Sequence, residues 1–117
     1  MAQFAITGVY GSGASYLAEH IALVDKQEHM VFGAARWHGG ISSLGILNQY
    51  ENIRIIECDL LDISSIIRFL EISNPECIFH LASFANVKAA FDTPLSTIYN
   101  NVMSTANLFE AIKMQII

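Results

Sequence analysis

Phe4-Ala5-Ile6-Thr7-Gly8-Val9-Tyr10-Gly11-Ser12-Gly13-Ala14-Ser15-Tyr16-Leu17-Ala18-Glu19 is the stretch whose reading decides the fold. Phe4 to Ile6 is a short apolar run that reads as a buried strand. It ends in Thr7-Gly8, turns through Gly11 and Gly13, and enters a helical pattern from Ala14 or Ser15. Backbone N–H groups at such a helix start are unpaired and carry the positive end of the helix dipole, which suits a pyrophosphate. Gly8 permits the sharp turn, and Gly11 removes a side chain where phosphates must approach. The third position of the pattern is Ala14, still small enough for the helix to pack closely on the strand. A glycine-rich turn alone is a weak signal, and a plain tight turn is the bland alternative. Its place between an apolar strand and a helix strengthens the sharper reading.

Outward from that stretch, Leu17, Ile21 and Val24 repeat at helical spacing, and a polar break at 26–29 leads to a second apolar run, Met30 to Ala35. Strand, helix, strand in this length is a βαβ unit with a right-handed crossover. Sites that prefer NAD place an acidic residue at the end of the second strand, for the ribose 2′-hydroxyl. Here the strand runs into Arg36-Trp37-His38, and no Asp or Glu stands between Met30 and Tyr50. A guanidinium at that place suits the 2′-phosphate of NADP. The alternative is a solvated arginine at a strand end.

Residues 38–52 read as a loop with one helical turn at most. Ile53 to Glu57 is a third strand, rich in β-branched residues. Asp62 is placed as the N-cap of a helix through Ile63, Ile66, Ile67 and Leu70, which Asn74-Pro75 stops. Cys77 to Leu81 is the fourth strand. A short helix follows around Val87 to Phe91, and Thr93-Pro94 opens the last one. That helix carries Leu95, Ile98, Val102, Ala106, Phe109 and Ile112 on one face, read as a core face. Four strands alternating with helices imply an open, parallel, doubly wound α/β sheet in the order 3-2-1-4, with a ligand across the ends of strands 1 and 4.

Composition bounds the rest. The 117 residues suffice for one small domain; 53% are hydrophobic and only 15% charged. That richness fits a sheet covered on both faces, or a portion of a larger protein. The net charge of −5, with six scattered Lys and Arg, argues against nucleic acid. Cys58 and Cys77 make neither a disulfide framework nor a Cys-x-x-Cys pair, and a reduced interior suits them. A strand beginning at the fourth residue leaves no leader, and no apolar run spans a bilayer, so a soluble, cytoplasmic protein is expected. His20, His29, His38 and His80 show no ligand spacing, so no metal is expected, and His80 reads as a hydrogen-bonded core histidine.

Together Thr7-Gly8-x-x-Gly11-x-x-Ala14, Asp59-Leu60, His80-Leu81-Ala82-Ser83, Asn101-Val102-x-Ser104-Thr105 and Leu108-Phe109-Glu110-Ala111 carry a resemblance over nearly the whole chain. It resembles the N-terminal part of the extended short-chain dehydrogenase/reductases, the nucleotide-sugar dehydratases and epimerases. Ser15-Tyr16-Leu17-Ala18-Glu19 is nearest in wording to their GDP-mannose 4,6-dehydratase branch. The resemblance implies a Rossmann-type NAD(P)-binding domain over residues 1–117. Gly8, Gly11, Ser12, Gly13 and Ala14 would line the pyrophosphate, and Arg36 would meet the 2′-phosphate. Asp59 and Leu60 would meet the adenine, and Leu81, Ala82 and Ser83 the nicotinamide ribose side. Asn101 matches the family's buried helix asparagine. Ala14 and Ser104 stand where the family has glycines, and Trp37 where it has a second arginine.

The implied cofactor is NADP, with NAD as the alternative. The implied substrate of the complete enzyme is a nucleotide sugar, oxidised transiently at C4 by hydride transfer. The family's base is a Tyr with a Lys four residues on, the lysine lowering the tyrosine pKa. Tyr10, Tyr16, Tyr50 and Tyr99 are followed at that distance by Ala14, His20, Arg54 and Met103, so no catalytic residue is assigned. In the family that pair follows a fifth strand. The catalytic region and substrate domain are therefore expected to be absent, and the chain inactive alone. A binding module without chemistry, or an inactive fragment, is the reading from another class. Either way the outer edge of strand 4 would be open, so a homo-oligomer or association through that edge is expected.

Overall fold

The apolar runs read as strands are strands. In a computed structural model that describes residues 2–24, 28–36, 47, 49–82 and 87–116, β1 (Gln3–Thr7), β2 (Met30–Ala35), β3 (Ile53–Glu57) and β4 (Cys77–His80) form one sheet. Its order is β3-β2-β1-β4, as the alternation of elements implied. Every pairing is parallel. β1 runs beside β2 from Gln3↔Met30 to Thr7↔Ala34, and beside β4 from Phe4↔Cys77 to Thr7↔His80. β2 and β3 are in register from Val31↔Ile53 to Ala35↔Glu57. β1 is a residue longer at each end than its apolar core, and β4 stops at His80, one residue before Leu81.

The helices are α1 (Ser12–Leu23), α2 (Ile63–Ser73), α3 (Val87–Asp92) and α4 (Pro94–Ile116). α1 starts two residues before the expected Ala14. Gly11 is the extended N-cap, and its carbonyl already accepts from the Ser15 N–H at 2.9 Å. Two ends of α2 behave as read. The Asp62 carboxylate accepts from the Ser64 N–H at 3.1 Å, and Asn74 turns left-handed (φ 40°) with its N–H on Leu70 O. A short amide residue tolerates that conformation, and Pro75 cannot continue the helix.

Period-2 alternation sends each strand's side chains to two separate cores. Ala5, Phe32, Ala34 and Ile56 pack under α2 and α4 with Ile66, Phe69, Leu108 and Ala111. Ile6, Val31, Ala35 and Ile53 pack under α1 with Ala18, Ile21 and Leu47. Fully buried side chains such as Phe69, Ile66, Ile6 and Val31 each contribute about 1.5–3 kcal/mol. Asn52 pins the α1 side: its amide donates to Ala22 O at 2.9 Å and His29 O at 2.8 Å.

One expectation fails on α4. Leu95, Ile98, Val102 and Phe109 are 83%, 59%, 58% and 67% exposed, so the stripe read as a core face points outward. The buried side is Ser104, Leu108 and Ala111, with Ile112 packed at its margin. At 3.6 residues per turn, Val102 and Ala106 lie roughly 160–200° around the helix from Ser104. The helix carries two apolar stripes, and the one of smaller residues faces the sheet.

Trp37, His38 and Ser83 lie outside the described residues. Cys58 is buried and Cys77 exposed; both are free thiols. No helix among the described residues is long and apolar enough to cross a membrane.

Candidate functional site

Parallel strands all end at the same edge, so the segments after Thr7, Ala35, Glu57 and His80 emerge together. Gly8 to Ala14, Arg36, Asp59-Leu60 and Leu81-Ala82 therefore share one edge of the sheet, although they are scattered along the chain. Between β1 and β4 the winding reverses, which opens a crevice above the strand ends.

The turn after β1 is held from three sides. Gly11 N–H donates to Gly8 O at 2.9 Å, and Val9 N–H reaches Ala34 O at 3.3 Å. Val9 is buried against Gly33, where a Cβ would come within 2.7 Å of its side chain. Gly8 has φ +63°, and a Cβ there would lie 2.7 Å from Ala82 Cα and 2.9 Å from Ala82 N. Gly8 is thus required by the chain's own packing, where the segment after β4 presses on the turn after β1.

Gly11 and Gly13 differ. Among the described residues, a Cβ on Gly11 would meet Gly8 O, at 3.2 Å, and one on Gly13 would meet nothing within 4 Å. Gly11 offers no side chain to cap α1, and the first turn, Ser12-Gly13-Ala14, contains no acidic residue. Ala14 is buried and faces the sheet, which explains a small residue there. The result is a helix N-terminus whose backbone donors have neither a side-chain cap nor an acidic neighbour in the first turn.

Arg36 is the first residue past β2 and is exposed. Asp59 is half-buried; its N–H donates to Ser65 Oγ at 2.9 Å, and its Oδ1 accepts from Leu61 N–H at 3.0 Å. Leu60 packs partly into the core under α2 and α4, and its carbonyl accepts from Asn107 Nδ2 at 3.0 Å. Leu81 is exposed and Ala82 half-buried.

Thr7 and His80 have a larger part than their sequence reading gave them. Thr7 Oγ1 is fully buried and accepts from Leu81 N–H at 3.0 Å and Ala82 N–H at 3.1 Å. It also lies 2.7 Å from His80 Nδ1, while His80 Nε2 lies 3.0 Å from Thr105 Oγ1 on α4. Burial pushes the His80 imidazole below its ordinary pKa. The alternation of β1 and β4 could place both side chains on the α4 side, but the sequence shows no sign of their mutual contact.

Among the described residues, the tyrosines and the thiol with shifted pKa values move away from what a base or nucleophile needs. Burial raises Tyr10, and a hydrogen bond to Glu19 followed by burial raises Tyr50, the opposite of what a tyrosine base needs. Burial pushes the Cys58 thiol up to about 11, so it is protonated at neutral pH. No cluster of three or more His, Cys, Asp or Glu among the described residues could hold a metal. A shallow groove on β3, lined by Arg54, Glu57, Arg68 and Ile72, sits two strands away from the glycine turn.

Comparison with known proteins fits this geometry. GDP-mannose 4,6 dehydratase 2 of Caenorhabditis elegans is 30% identical over 116 residues, taking in 92% of this chain and 30% of that protein. The GDP-mannose 4,6-dehydratase of Vibrio cholerae is 28% identical over 116 residues, 93% of this chain and 30% of its own. The chain thus spans about 30% of the length of these relatives. Among solved structures, UDP-glucose-4-epimerase from Stenotrophomonas maltophila, with bound NAD, matches with a TM-score of 0.82 at 16% identity, over 97% of this chain and 34% of that one. The UDP-Glc/GlcNAc 4-epimerase from Campylobacter jejuni gives 0.81 at 23%, over 97% and 33%. At such identities the likeness is one of fold. The family model for GDP-mannose 4,6 dehydratase matches residues 5–116, from β1 to the last turn of α4, and a match of that extent means that the chain belongs to the GDP-mannose 4,6 dehydratase family.

Proposed function

We propose that this chain carries the dinucleotide-binding part of a nucleotide-sugar 4,6-dehydratase of the GDP-mannose type, with NADP as its cofactor and NAD as the alternative. One observation carries the reading: a helix N-terminus without side-chain cap or acid, preceded by a glycine whose missing Cβ is filled by Ala82, with nothing among the described residues within 4 Å of a Cβ on Gly13. Backbone donors that no N-cap side chain occupies fit a pyrophosphate. Arg36, exposed at the end of the neighbouring strand, fits a 2′-phosphate. Asp59 and Leu60 are assigned to the adenine side, and Leu81, Ala82 and Ser83 to the nicotinamide side. Bound there, the cofactor supplies reversible hydride transfer at C4 of the sugar. This chain's residues bind and orient it; the base would come from a Tyr-x-x-x-Lys that these 117 residues do not contain. The relatives named for GDP-mannose support the substrate class, and the epimerase solved with NAD supports a nicotinamide dinucleotide. Two free thiols and the want of any long apolar helix among the described residues suit the cytoplasm.

The test is a titration with NADPH and NADH. A charge-assisted hydrogen bond contributes about 1.5–3 kcal/mol, so Arg36→Ala should weaken NADPH about ten- to hundredfold and spare NADH. Equal loss for both would make Arg36 structural, and failure of the unaltered chain to bind either would end the reading. The second reading, a binding module without chemistry, is favoured by the absence of a Tyr with a Lys four residues on in these 117 residues. It predicts the same binding, but no dehydratase activity when the remaining two-thirds of a relative is supplied in trans.

A further inference from the structure

His80 stands at the meeting of β1, β4 and α4, and its hydrogen bonds can be given a direction. A threonine hydroxyl has one proton and two acceptor sites. Thr7 Oγ1 accepts from both Leu81 N–H and Ala82 N–H, so its acceptor sites are spent. Its own proton must then go to His80 Nδ1, 2.7 Å away, which is a bare nitrogen. The ring proton is left on Nε2, from which it donates to Thr105 Oγ1 at 3.0 Å. Thr105 in turn donates to Asn101 O at 3.1 Å, inside α4. The other neutral tautomer would present a third donor to Thr7 Oγ1 and leave the threonine proton without an acceptor in this chain of bonds. An imidazolium would do the same.

We infer that His80, neutral and protonated on Nε2, is a positioning residue for the candidate site: it keeps the Thr7 hydroxyl turned so that its oxygen seats Leu81 and Ala82 against Gly8. This rests on the dinucleotide reading only for its consequence, since Leu81-Ala82 is the wall assigned to the nicotinamide side. The clamp itself belongs to the protein without ligand. It ties the middle of α4, through one ring, to the backbone that closes on the glycine turn.

The tautomer is read directly from the ring nitrogens by ¹⁵N NMR of the unaltered protein. The expected spectrum at neutral pH shows Nδ1 bare and accepting, and Nε2 protonated; the reverse tautomer, or a ring charged at pH 7, overturns the inference. His80→Phe keeps the volume and removes both nitrogens, so amide exchange at Leu81 and Ala82 should quicken about tenfold, the effect of one lost hydrogen bond. Thr7→Val should do the same. His80→Asn, with an amide oxygen where Nδ1 stood, should recover most of that protection, whereas exchange as fast as in His80→Phe would show that His80 merely fills space. None of these readings needs a dinucleotide. They can fail while NADPH still binds, or hold while it does not.

Discussion

At the scale of single residues, the three glycines of the turn separate into two kinds. Gly8→Ala would force a left-handed backbone on a side-chained residue and drive its Cβ into Ala82, a cost of about 1–3 kcal/mol for the backbone alone. Urea unfolding should show at least that loss, and NADPH binding should fall with it. Gly13 is helical, and among the described residues its Cβ would meet nothing within 4 Å, so Gly13→Ala should stabilise by about 0.4–1 kcal/mol. If phosphates occupy that space, the same variant binds NADPH more weakly while unfolding later; tighter binding would place the phosphates elsewhere. His80 gives a pH dependence with a definite sign. Its folded pKa lies below the ordinary 6.5, so as pH falls the unfolded chain takes the proton first. Its contribution is therefore complete above about pH 6.5 and is lost as pH drops toward the lower folded value. Unfolding at pH 7.5 and 5.5 should show this decline in the native chain and less of it in His80→Phe. The glycine turn was legible because strand, glycines and helix adjoin in sequence. The reason for Gly8 was not, because Ala82 arrives from the far end of the chain.

At the scale of elements, α2 was readable end to end and α4 was not. Asp62, Asn74 and Pro75 act on their own neighbours, so their chemistry is local. The face of α4 is decided by what it meets. Periodicity finds an apolar stripe but not its direction, and α4 has a second side, Ser104, Leu108 and Ala111, on which small residues let it lie close to α2 and the sheet. Leu108→Ala should cost about 2–5 kcal/mol. Leu95→Lys and Val102→Lys, at exposed positions, should stay within about 0.5 kcal/mol. If those lysines unfold the protein and Leu108→Ala does not, the orientation of α4 described above is wrong. The outward stripe also means that part of the high apolar content of the chain is surface rather than core, which the bulk composition could not distinguish.

At the scale of the whole molecule, the order β3-β2-β1-β4 is the one expected for alternating strands and helices that open on a dinucleotide-type glycine turn. The site followed from the order, because parallel strands deliver their ends to one edge. Arg36 was legible from its place after β2 and Asp59 and Leu81 from the family resemblance, while the link through Thr7, His80 and Thr105 joins residues far apart in the chain and left no local mark on the sequence. Among the described residues β4 pairs only with β1, and its Ile78 and Phe79 are half-buried, Phe79 stacking on Phe4. An open edge of this kind recruits strands. Sedimentation at rising concentration should show self-association that a Lys at Ile78 suppresses; a monomer at all concentrations would show that the edge is guarded some other way. The thiols make that edge observable. Cys77 opens β4 and is exposed, whereas Cys58 is buried and protonated at neutral pH. A maleimide dye should therefore label the native protein once, at the rim of the sheet, and its fluorescence would report the arrival of whatever strand comes to lie there.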